Sequence, residues 1–238
     1  MRFAELLEIA PQLEKFTGHI PEGLDGQFST KAYGPHEIIR QKDSRLESIG
    51  ILLKGSFRVV NEFENGNVFM IEMNDAISFV REVALLAGAS TTSVTIESVT
   101  DCLIAYLPVS TFDVWLQQDP HLLRSLSEHV AAKLYCSSYS RGERLFYSAK
   151  YVLLKYITQQ AESCGIHTAG RVVIGKTRQQ ISEEVGMTVK TINRILTKFG
   201  KDGLLSTERG KVAMDAEQYH RARQELSVYI AENRNGSR

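Results

Sequence analysis

Hydrophobic and polar residues alternate in short runs along the first half of the chain, a pattern typical of β-strands. Several such runs recur between residues 26 and 107, with turn residues between them. Asn65-Gly66 gives the strongest hairpin signal, since β-branched and aromatic runs flank it. The run from Leu46 to Phe63 is interrupted at Gly55, where glycine permits a tight bend. The pattern predicts a sandwich or roll of antiparallel strands.

A long helical pattern begins after Pro120. From His121 to Phe146, leucine and valine recur at steps of three and four residues, which places them on one helix face. We expect this stripe to pack against the same helix of a second subunit. In the alternative the stripe packs on the β-roll of its own chain, and a long helix can do both. The predicted dimer face consists of Leu123, Leu126, Val130 and Leu134.

Two shorter helical patterns follow between residues 177 and 205, with a break at Gly186. The first helix is predicted over 178–185, after which Gly186 takes a left-handed turn conformation. Thr188 is predicted to cap the second helix, whose apolar stripe must pack inward. Its outer face carries Lys190, Asn193 and Arg194, which can donate to phosphates and to base edges. This spacing is typical of a helix-turn-helix that enters a DNA groove.

The region after the second helix completes the predicted domain. Gly203, two leucines and the run 208–212 predict a turn and a basic hairpin, the wing of a winged helix. Asp215 is then predicted to cap a final helix that extends to about residue 232. An ordinary helical pair that binds protein is the alternative. Between Lys176 and Lys211 there are eight Lys/Arg against four Asp/Glu in a chain of zero net charge, which favours DNA.

Composition limits the class of protein. With 238 residues, 43% hydrophobic and 24% charged, the chain is long enough for two domains with separate cores. The first residues lack the pattern of a signal peptide, and no apolar run approaches the roughly 20 residues that span a bilayer. We therefore expect a cytoplasmic protein. The sequence holds no recognisable nucleophile–base pair, phosphate loop or metal-ligand spacing, so neither catalytic residues nor a metal site are predicted.

The chain resembles the CRP/FNR family of transcription regulators along nearly its whole length. The resemblance is strongest in the helix-turn-helix, at 177–179, Ile181, Val185-Gly186 and 194–196. It implies an α+β fold with an N-terminal antiparallel β-roll, a long dimerisation helix and a C-terminal winged helix-turn-helix. Residues 1–147 would sense an effector and residues 148–238 would bind DNA, with a hinge near residues 147–150. A homodimer on palindromic double-stranded DNA is implied, with RNA polymerase as a further partner.

The resemblance also implies how the polar residues divide their roles on DNA. In the best-known members an Arg-Glu pair and a second Arg read the bases, whereas this chain has Val189, Lys190 and Arg194 at those positions. Arg194 can still contact guanine, but Lys190 has no acceptor for a cytosine amine, so the predicted operator differs there from TGTGA-type half-sites. Phosphate anchors are expected at Thr177, Arg178, Gln179 and Thr188. The full predicted DNA-binding set is Thr177, Arg178, Gln179, Thr188, Val189, Lys190, Thr191, Asn193, Arg194, Lys198, Arg209 and Lys211.

The roll is expected to hold the effector. Members that bind cyclic nucleotides carry glycine and glutamate and, some ten residues on, arginine followed by a small hydroxyl residue. Here those positions are Arg81, Glu82, Thr92 and Ser93, so a cyclic phosphate loses its arginine partner. We expect a signal other than the usual cyclic-AMP cassette, with a cyclic-nucleotide regulator of degenerate cassette as the alternative. The candidate pocket residues are Arg81, Glu82, Thr91, Thr92, Ser93, Cys136, Ser137 and Ser138.

Other sensing chemistries depend on cysteine and histidine. Three cysteines, odd in number and widely spaced, argue against disulfides and are expected to be buried thiols. An iron–sulfur cluster like that of the FNR branch is not expected, because no cysteine precedes Cys102. A haem sensor stays open, since His19, His129, Cys102 and Cys136 qualify by residue type. A small organic effector and a redox response at Cys136 stay open as well.

Overall fold

The computed structural model describes residues 1–235 and all of their side chains except those of 139–141, 143, 144 and 230–235. The chain forms two compact units, Met1–Ser138 and Tyr139–Arg238. The division falls inside the long helix, and the expected domain boundary at residue 147 remains a prediction. Each unit has a hydrophobic core of its own.

The first unit is built on two antiparallel four-stranded sheets, with strand orders β1-β8-β3-β6 and β2-β7-β4-β5. The two sheets confirm the predicted antiparallel roll. The strands are β1 (Ser29–Tyr33), β2 (Ile38–Arg40), β3 (Ser48–Lys54), β4 (Ser56–Glu62), β5 (Val68–Asp75), β6 (Ser78–Val80), β7 (Thr95–Ser98) and β8 (Cys102–Pro108). The helices are α1 (Phe3–Ile9), a 3-10 helix (Pro11–Phe16), α2 (Glu82–Leu86), α3 (Val109–Gln118) and the long α4 (Pro120–Phe146).

Both predicted turns of the roll are present. Gly55 separates β3 from β4 at φ +88°, and a Cβ there would lie 2.1 Å from the carbonyl oxygen of Asp101. Only glycine fits that position. In the hairpin between β4 and β5, Gly66 has φ +76° and the amide of Phe63 donates to the carbonyl of Asn67 at 3.0 Å. The bend at Gly55 carries the chain from the first sheet to the second, and the hairpin at Gly66 connects the paired strands β4 and β5.

Two cores stabilise this unit. One lies between the sheets and includes Leu52, Phe57 and Ile104. The other lies between the first sheet and the helices, where Trp115 and Leu126 are almost completely buried. Leu126 thus belongs to the core of its own unit, and its assignment to the dimer face was wrong. The reason is that a helix lying on a sheet turns part of its apolar stripe toward that sheet.

The start of α4 is fixed by Asp119, which is almost fully buried. Its carboxylate accepts hydrogen bonds from the amides of His121 (3.0 Å) and Leu122 (3.2 Å) and from the Thr17 hydroxyl (2.6 Å). The amide of Gly18 donates to it as well, at 2.9 Å. Burial acts to raise the pKa of this carboxyl, but the hydrogen bonds, led by that of Thr17, hold it at about 2.

The second unit is a three-stranded sheet packed with helices, and its sheet order is β10-β11-β9. The predicted helix-turn-helix and wing are present at the expected positions, whereas the strand β9 was not predicted. The strands are β9 (Arg171–Ile174), β10 (Ser206–Glu208) and β11 (Lys211–Asp215). The helices are α5 (Ala149–Ser163), α6 (Ile166–Ala169), α7 (Arg178–Val185), α8 (Val189–Lys201) and α9 (Ala216–Asn235).

The final helix α9 packs on its own unit. The carboxylate of Asp215 accepts from the amide of Gln218 at 2.8 Å, which confirms the predicted cap. Tyr219, Ala222 and Leu226 are buried in the common core with α5. The helix continues to Asn235, beyond the predicted end near residue 232. Within the described residues, the helices include none that is long and apolar enough to cross a membrane.

We predict that Asp119→Asn lowers the free energy of unfolding of the first unit by about 2 kcal/mol near neutral pH. A carboxyl whose pKa is held at about 2, against an ordinary 3.8, stabilises the fold by that amount. This stabilisation is complete above the ordinary pKa and is lost as the pH falls toward 2. Urea denaturation of both proteins over a pH series measures it.

Asp113→Asn is the matched control, because Asp113 is exposed on α3 and, within the described residues, accepts only from the side chain of Gln117, at 2.8 Å. This control should change stability by less than about 0.5 kcal/mol. A stability gap between Asp119→Asn and the parent that stays constant down to about pH 2 would contradict the assignment.

Candidate nucleic-acid interface and ligand pocket

The orientation of α8 is set by its apolar face. Ile192, Ile195, Leu196 and Phe199 are all buried in the core of the second unit. Because these residues recur at steps of three and four, the remaining positions form one continuous outer face. Exposed side chains on that face are Lys190, Asn193, Arg194, Thr197 and Lys198.

The turn before α8 fixes its angle to α7. Gly186 has φ +68° and its amide donates to the carbonyl of Ser182 at 2.9 Å, which ends α7. Thr188 then caps α8, since its hydroxyl accepts from the amide of Thr191 at 3.2 Å. The predicted left-handed turn and the predicted cap are both confirmed. The hydroxyls of Thr188 and Thr191 also lie 3.0 Å apart, so the two side chains form one polar group at the helix start.

Cations follow one another along the outer face of α8. Lys190, Arg194 and Lys198 are spaced four residues apart, and Lys201 follows three residues later. The helix contains no carboxylate of its own. Side chains four apart are neighbours on a helix surface, so the charges form a single positive row. Such a row is suited to a polyanion rather than to an apolar partner.

A cleft of about 490 Å³ lies beside this row, between the start of α7, α8 and the first wing strand. Cationic and hydroxyl groups line most of it, and these are the donors that hold phosphate oxygens. The sequence did not single out Lys201 or Thr207, although Lys201 continues the spacing of the cations. The lining residues are Arg178, Asn193, Leu196, Thr197, Gly200, Lys201 and Thr207.

The expected phosphate anchors differ in how many hydrogen-bond donors remain unused within the protein. The Thr177 hydroxyl caps α7 by accepting from the amide of Gln180 at 3.1 Å, and its own hydrogen remains available. Gln179 donates its amide to Glu183 at 2.9 Å. Arg178 is half-buried, burial lowers its pKa, and its Nη1 has no hydrogen-bond partner among the described residues. Arg178 lines the cleft and is therefore the anchor that combines a charge with an unused donor.

The wing brings two further cations to the same unit. Arg209 is exposed at the tip of the hairpin with φ +48°, next to Gly210 at +78°. Lys211 is half-buried at the start of β11. Glu208, the wing carboxylate, pairs with Arg171 at 3.0 Å. Because Glu208 is neutralised by Arg171, the electrostatic potential at the tip of the wing is positive.

In the roll, the candidate Glu82 is already engaged within the protein. Its side chain is almost fully buried, and Lys133 of α4 donates to it at 2.6 Å and to Glu72 of β5 at 2.8 Å. Burial raises the pKa of Glu82, and the charge of Lys133 opposes that rise. This cluster joins α2, β5 and α4. Sequence reasoning missed Lys133, which carries no local motif.

The other pocket candidates divide by exposure. Arg81 is buried with φ +77°, and its guanidinium donates to the backbone carbonyls of Ser44 and Arg45. Thr92 is buried, whereas Thr91 and Ser93 are exposed. On α4, Ser137 donates to the carbonyl of Leu134 at 3.1 Å, and Cys136 and Ser138 are exposed. No single pocket of the expected composition is formed by these residues within the described part of the chain.

The cysteines and histidines of the described residues lie in separate places. Cys102 is buried and donates to the carbonyl of Ser56 at 3.1 Å, but Cys136 and Cys164 are exposed. The expectation of buried thiols was wrong for Cys136 and Cys164. Cys136 lies at an exposed position of α4, and Cys164 lies at the exposed C-terminal end of α5. His129 is half-buried beside Glu82, at 4.0 Å, and burial lowers its pKa. Among the described residues, no group of three or more metal-ligating side chains comes together.

Two family models match the chain. The model of the cyclic nucleotide-binding domain matches residues 30–119, and that of the Crp-like helix-turn-helix domain matches residues 151–218. Together they cover more than half of the chain. The first match lies on the roll, and the second includes the whole helix-turn-helix and the wing.

Relatives match the chain over most of its length. The "cAMP-activated global transcriptional regulator CRP" of Salmonella typhimurium is 24% identical over 198 residues, which span 82% of this chain and 90% of that protein. The "cAMP-activated global transcriptional regulator Vfr" of Pseudomonas aeruginosa is 22% identical over 180 residues, which span 74% and 84%. These relatives are regulators of transcription by name.

Solved structures share the fold. The c-di-GMP responsive global regulator CLP of Xanthomonas campestris matches with a TM-score of 0.72 at 16% identity, over 80% of this chain and 95% of that one. A mutant of CooA from Carboxydothermus hydrogenoformans matches with a TM-score of 0.67 at 16% identity, over 95% and 96%. At such identities the match establishes the architecture and leaves the ligand open.

Proposed function

Because the chain belongs to the CRP/FNR family of DNA-binding transcription regulators, we propose that it is a homodimer whose operator affinity is gated by a ligand in the roll. The observation that carries the DNA-binding role is the positive outer face of α8, held outward by its buried stripe. A two-fold symmetric dimer would present one such helix to each half-site of a palindromic operator. RNA polymerase is the expected further partner.

Base reading is assigned to Arg194, with Asn193 and Lys190 beside it. Arg194 is exposed in the second turn of α8, at the position where a guanidinium can donate two hydrogen bonds to guanine. Arg178, Thr177 and the wing cations would hold phosphates and set the register. The half-buried Val189 offers no hydrogen bond and favours a thymine methyl instead.

Cyclic AMP is not the proposed effector, although the relatives named above are cAMP-activated. Thr92 replaces the arginine that a cyclic phosphate needs, and its hydroxyl donates weakly to the carbonyl of Val94 at 3.4 Å. Glu82 is occupied by Lys133. The same ion pair supports a route for the signal, since it connects the segment after Arg81 to α4. A ligand must favour the DNA-competent state to shift the equilibrium at all.

Dimerisation is assigned to the exposed part of the α4 stripe. Leu123 and Leu134 are 42% and 62% exposed, and Tyr135 is 82% exposed. Val130 lies half-buried between them. Large apolar side chains at such exposure along one helix are typical of a surface that a partner covers. A second copy of α4 is the partner with a matching stripe.

We predict that Arg194→Ala weakens operator binding by about 1–3 kcal/mol and relaxes selectivity at the base pair it reads, because a bidentate contact is lost. Fluorescence anisotropy with operator and single-base variants of it measures both effects. Arg178→Ala should instead weaken binding to all sequences alike and reduce the slope of log affinity against log salt by about 1.

The matched control is Arg223→Ala, since Arg223 is an exposed arginine of α9 that pairs with Glu162 at 3.4 Å. It should leave operator affinity unchanged. Parental affinity and selectivity in Arg194→Ala would show that α8 does not read the bases.

We predict that Leu134→Glu converts the dimer to monomer at micromolar concentration, because it buries a carboxylate in an apolar seam. Sedimentation velocity measures the mass of each species. Val114→Glu on α3, where Val114 is 40% exposed, is the control and should remain dimeric. A dimer of undiminished stability in Leu134→Glu would place the subunit interface elsewhere.

A further inference from the structure

Two tyrosines and two arginines meet inside the roll. The hydroxyls of Tyr33 and Tyr106 are 2.8 Å apart, and both side chains are buried. The guanidinium of Arg40 lies 4.7 Å from the centre of the Tyr106 ring. Arg81 acts electrostatically on both Arg40 and Tyr106, so all four groups share one environment. We call Tyr33, Arg40, Arg81 and Tyr106 the roll cluster.

The sheet topology brings these side chains together. β1 pairs with β8, and their inner faces carry the two tyrosines. Gly50 of the neighbouring strand β3 lies beneath them, where a Cβ would stand 3.0 Å from the Tyr106 ring and 2.9 Å from Val80. Glycine therefore leaves the room that the Tyr106 ring occupies. Both tyrosines belong to the apolar core between the sheets, together with Leu52, Val80 and Ile104.

The roll cluster carries positive charge without a matching acid. Neither Arg40 nor Arg81 forms an ion pair with a carboxylate among the described residues; Glu47 acts on Arg81 only from a longer range. Arg81 is 5% exposed, and its Nε is buried without a hydrogen-bond partner in the described residues. Burial lowers the pKa of Arg81, and the charge of Arg40 lowers it further. A buried cation in this state is costly unless an anion joins it.

The remaining hydrogen-bond donors also point to an anion. Arg81 uses its Nη2 on the backbone carbonyls of Ser44 and Arg45, which leaves Nε free. In the tyrosine pair one hydroxyl donates to the other, so one phenolic hydrogen remains available. Lys31 adds a third cation, 4.6 Å from the centre of the Tyr33 ring, and it is exposed. Arg40 donates to the Ile39 carbonyl at 3.0 Å and to the Ser48 hydroxyl at 3.2 Å, and these acceptors are neutral. The charges of both arginines are thus solvated by neutral groups and are not neutralised by a carboxylate of the described residues.

Resting on the proposed function, we propose that the effector carries an oxyanion group, a carboxylate or a phosphate, which binds between Arg40 and Arg81. Guanidinium groups match carboxylate and phosphate oxygens in both charge and geometry. The residues that match the cyclic nucleotide cassette, Glu82 and Thr92, are not used.

The position of Arg81 connects this site to the long helix. Arg81 directly precedes Glu82, the first residue of α2, and Glu82 holds Lys133 of α4. The φ of Arg81, +77°, is uncommon for residues other than glycine or asparagine. An anion bound to the Arg81 guanidinium is therefore held by the residue next to Glu82, whose ion pair with Lys133 anchors α4. This gives the ligand a direct route to the dimer helix.

The test is isothermal titration calorimetry of the full-length protein with sodium benzoate, with inorganic phosphate and with neutral benzamide. We expect saturable binding of benzoate or phosphate and none of benzamide. Binding of phosphate alone would assign a phosphate group, and binding of benzoate alone a carboxylate. Arg81→Gln and Arg40→Gln should each weaken anion binding about tenfold or more, because a charge-assisted hydrogen bond is lost.

Arg124→Gln is the matched control, since Arg124 is an exposed arginine of α4 paired with Glu128. It should bind the anion as the parent does. Circular dichroism shows which variants are folded. If either Arg81→Gln or Arg40→Gln unfolds, the other still tests the anion site. Equal binding of benzoate and benzamide, absence of binding by both anions, or parental affinity in a folded cluster variant would overturn the proposal.

Operator binding, measured by anisotropy with and without the anion that binds, separates this inference from the proposed function. Anion binding that leaves operator affinity unchanged would support the anion site and overturn the gating. Operator binding with no anion binding by calorimetry would overturn the anion site and leave DNA recognition intact.

Discussion

The DNA-reading surface depends on the burial of one apolar stripe. Ile192, Ile195, Leu196 and Phe199 hold α8 against the core of the second unit, and this single constraint decides which side chains face outward. The cations of α8 are positioned by what is packed behind them. The turn at Gly186 and the cap at Thr188 add the second constraint, the angle between α7 and α8. A rigid helix with a positive outer face can then meet a regularly spaced phosphate backbone.

The roll solves a different physical problem, the burial of charge. Glu82 is neutralised by Lys133, and that ion pair joins the roll to the long helix. Arg81 has no such partner within the described residues, although it is adjacent in sequence and more than nine-tenths buried. The Glu82–Lys133 ion pair and the unpaired cation of Arg81 are thus adjacent. The first provides a mechanical connection, and the second provides a reason for a ligand to bind.

Periodicity predicted most of the fold because each element has a strong local signal. The hairpin at Asn65-Gly66, the bend at Gly55 and the helices of the reader follow from glycine conformations and apolar spacing. The dimer face of α4 was harder to predict, because one apolar stripe supplies both the core of the first unit and the exposed face. Only tertiary packing shows that Leu126 points into the core. The roll cluster was not predicted beyond Arg81. Tyr33, Arg40 and Tyr106 come together through the pairing of distant strands, which leaves no motif in the sequence.

Selection of binding sites from a random-sequence DNA pool shows whether the protein reads a symmetric DNA sequence. A dimeric reader predicts a two-fold symmetric sequence whose half-sites lie about one helical turn apart. Because Val189 and Lys190 stand where relatives carry other residues, the half-site should differ from TGTGA at the bases they face. Enrichment of no sequence, or of a single asymmetric one, in the presence of the bound anion would contradict a symmetric, sequence-specific reader.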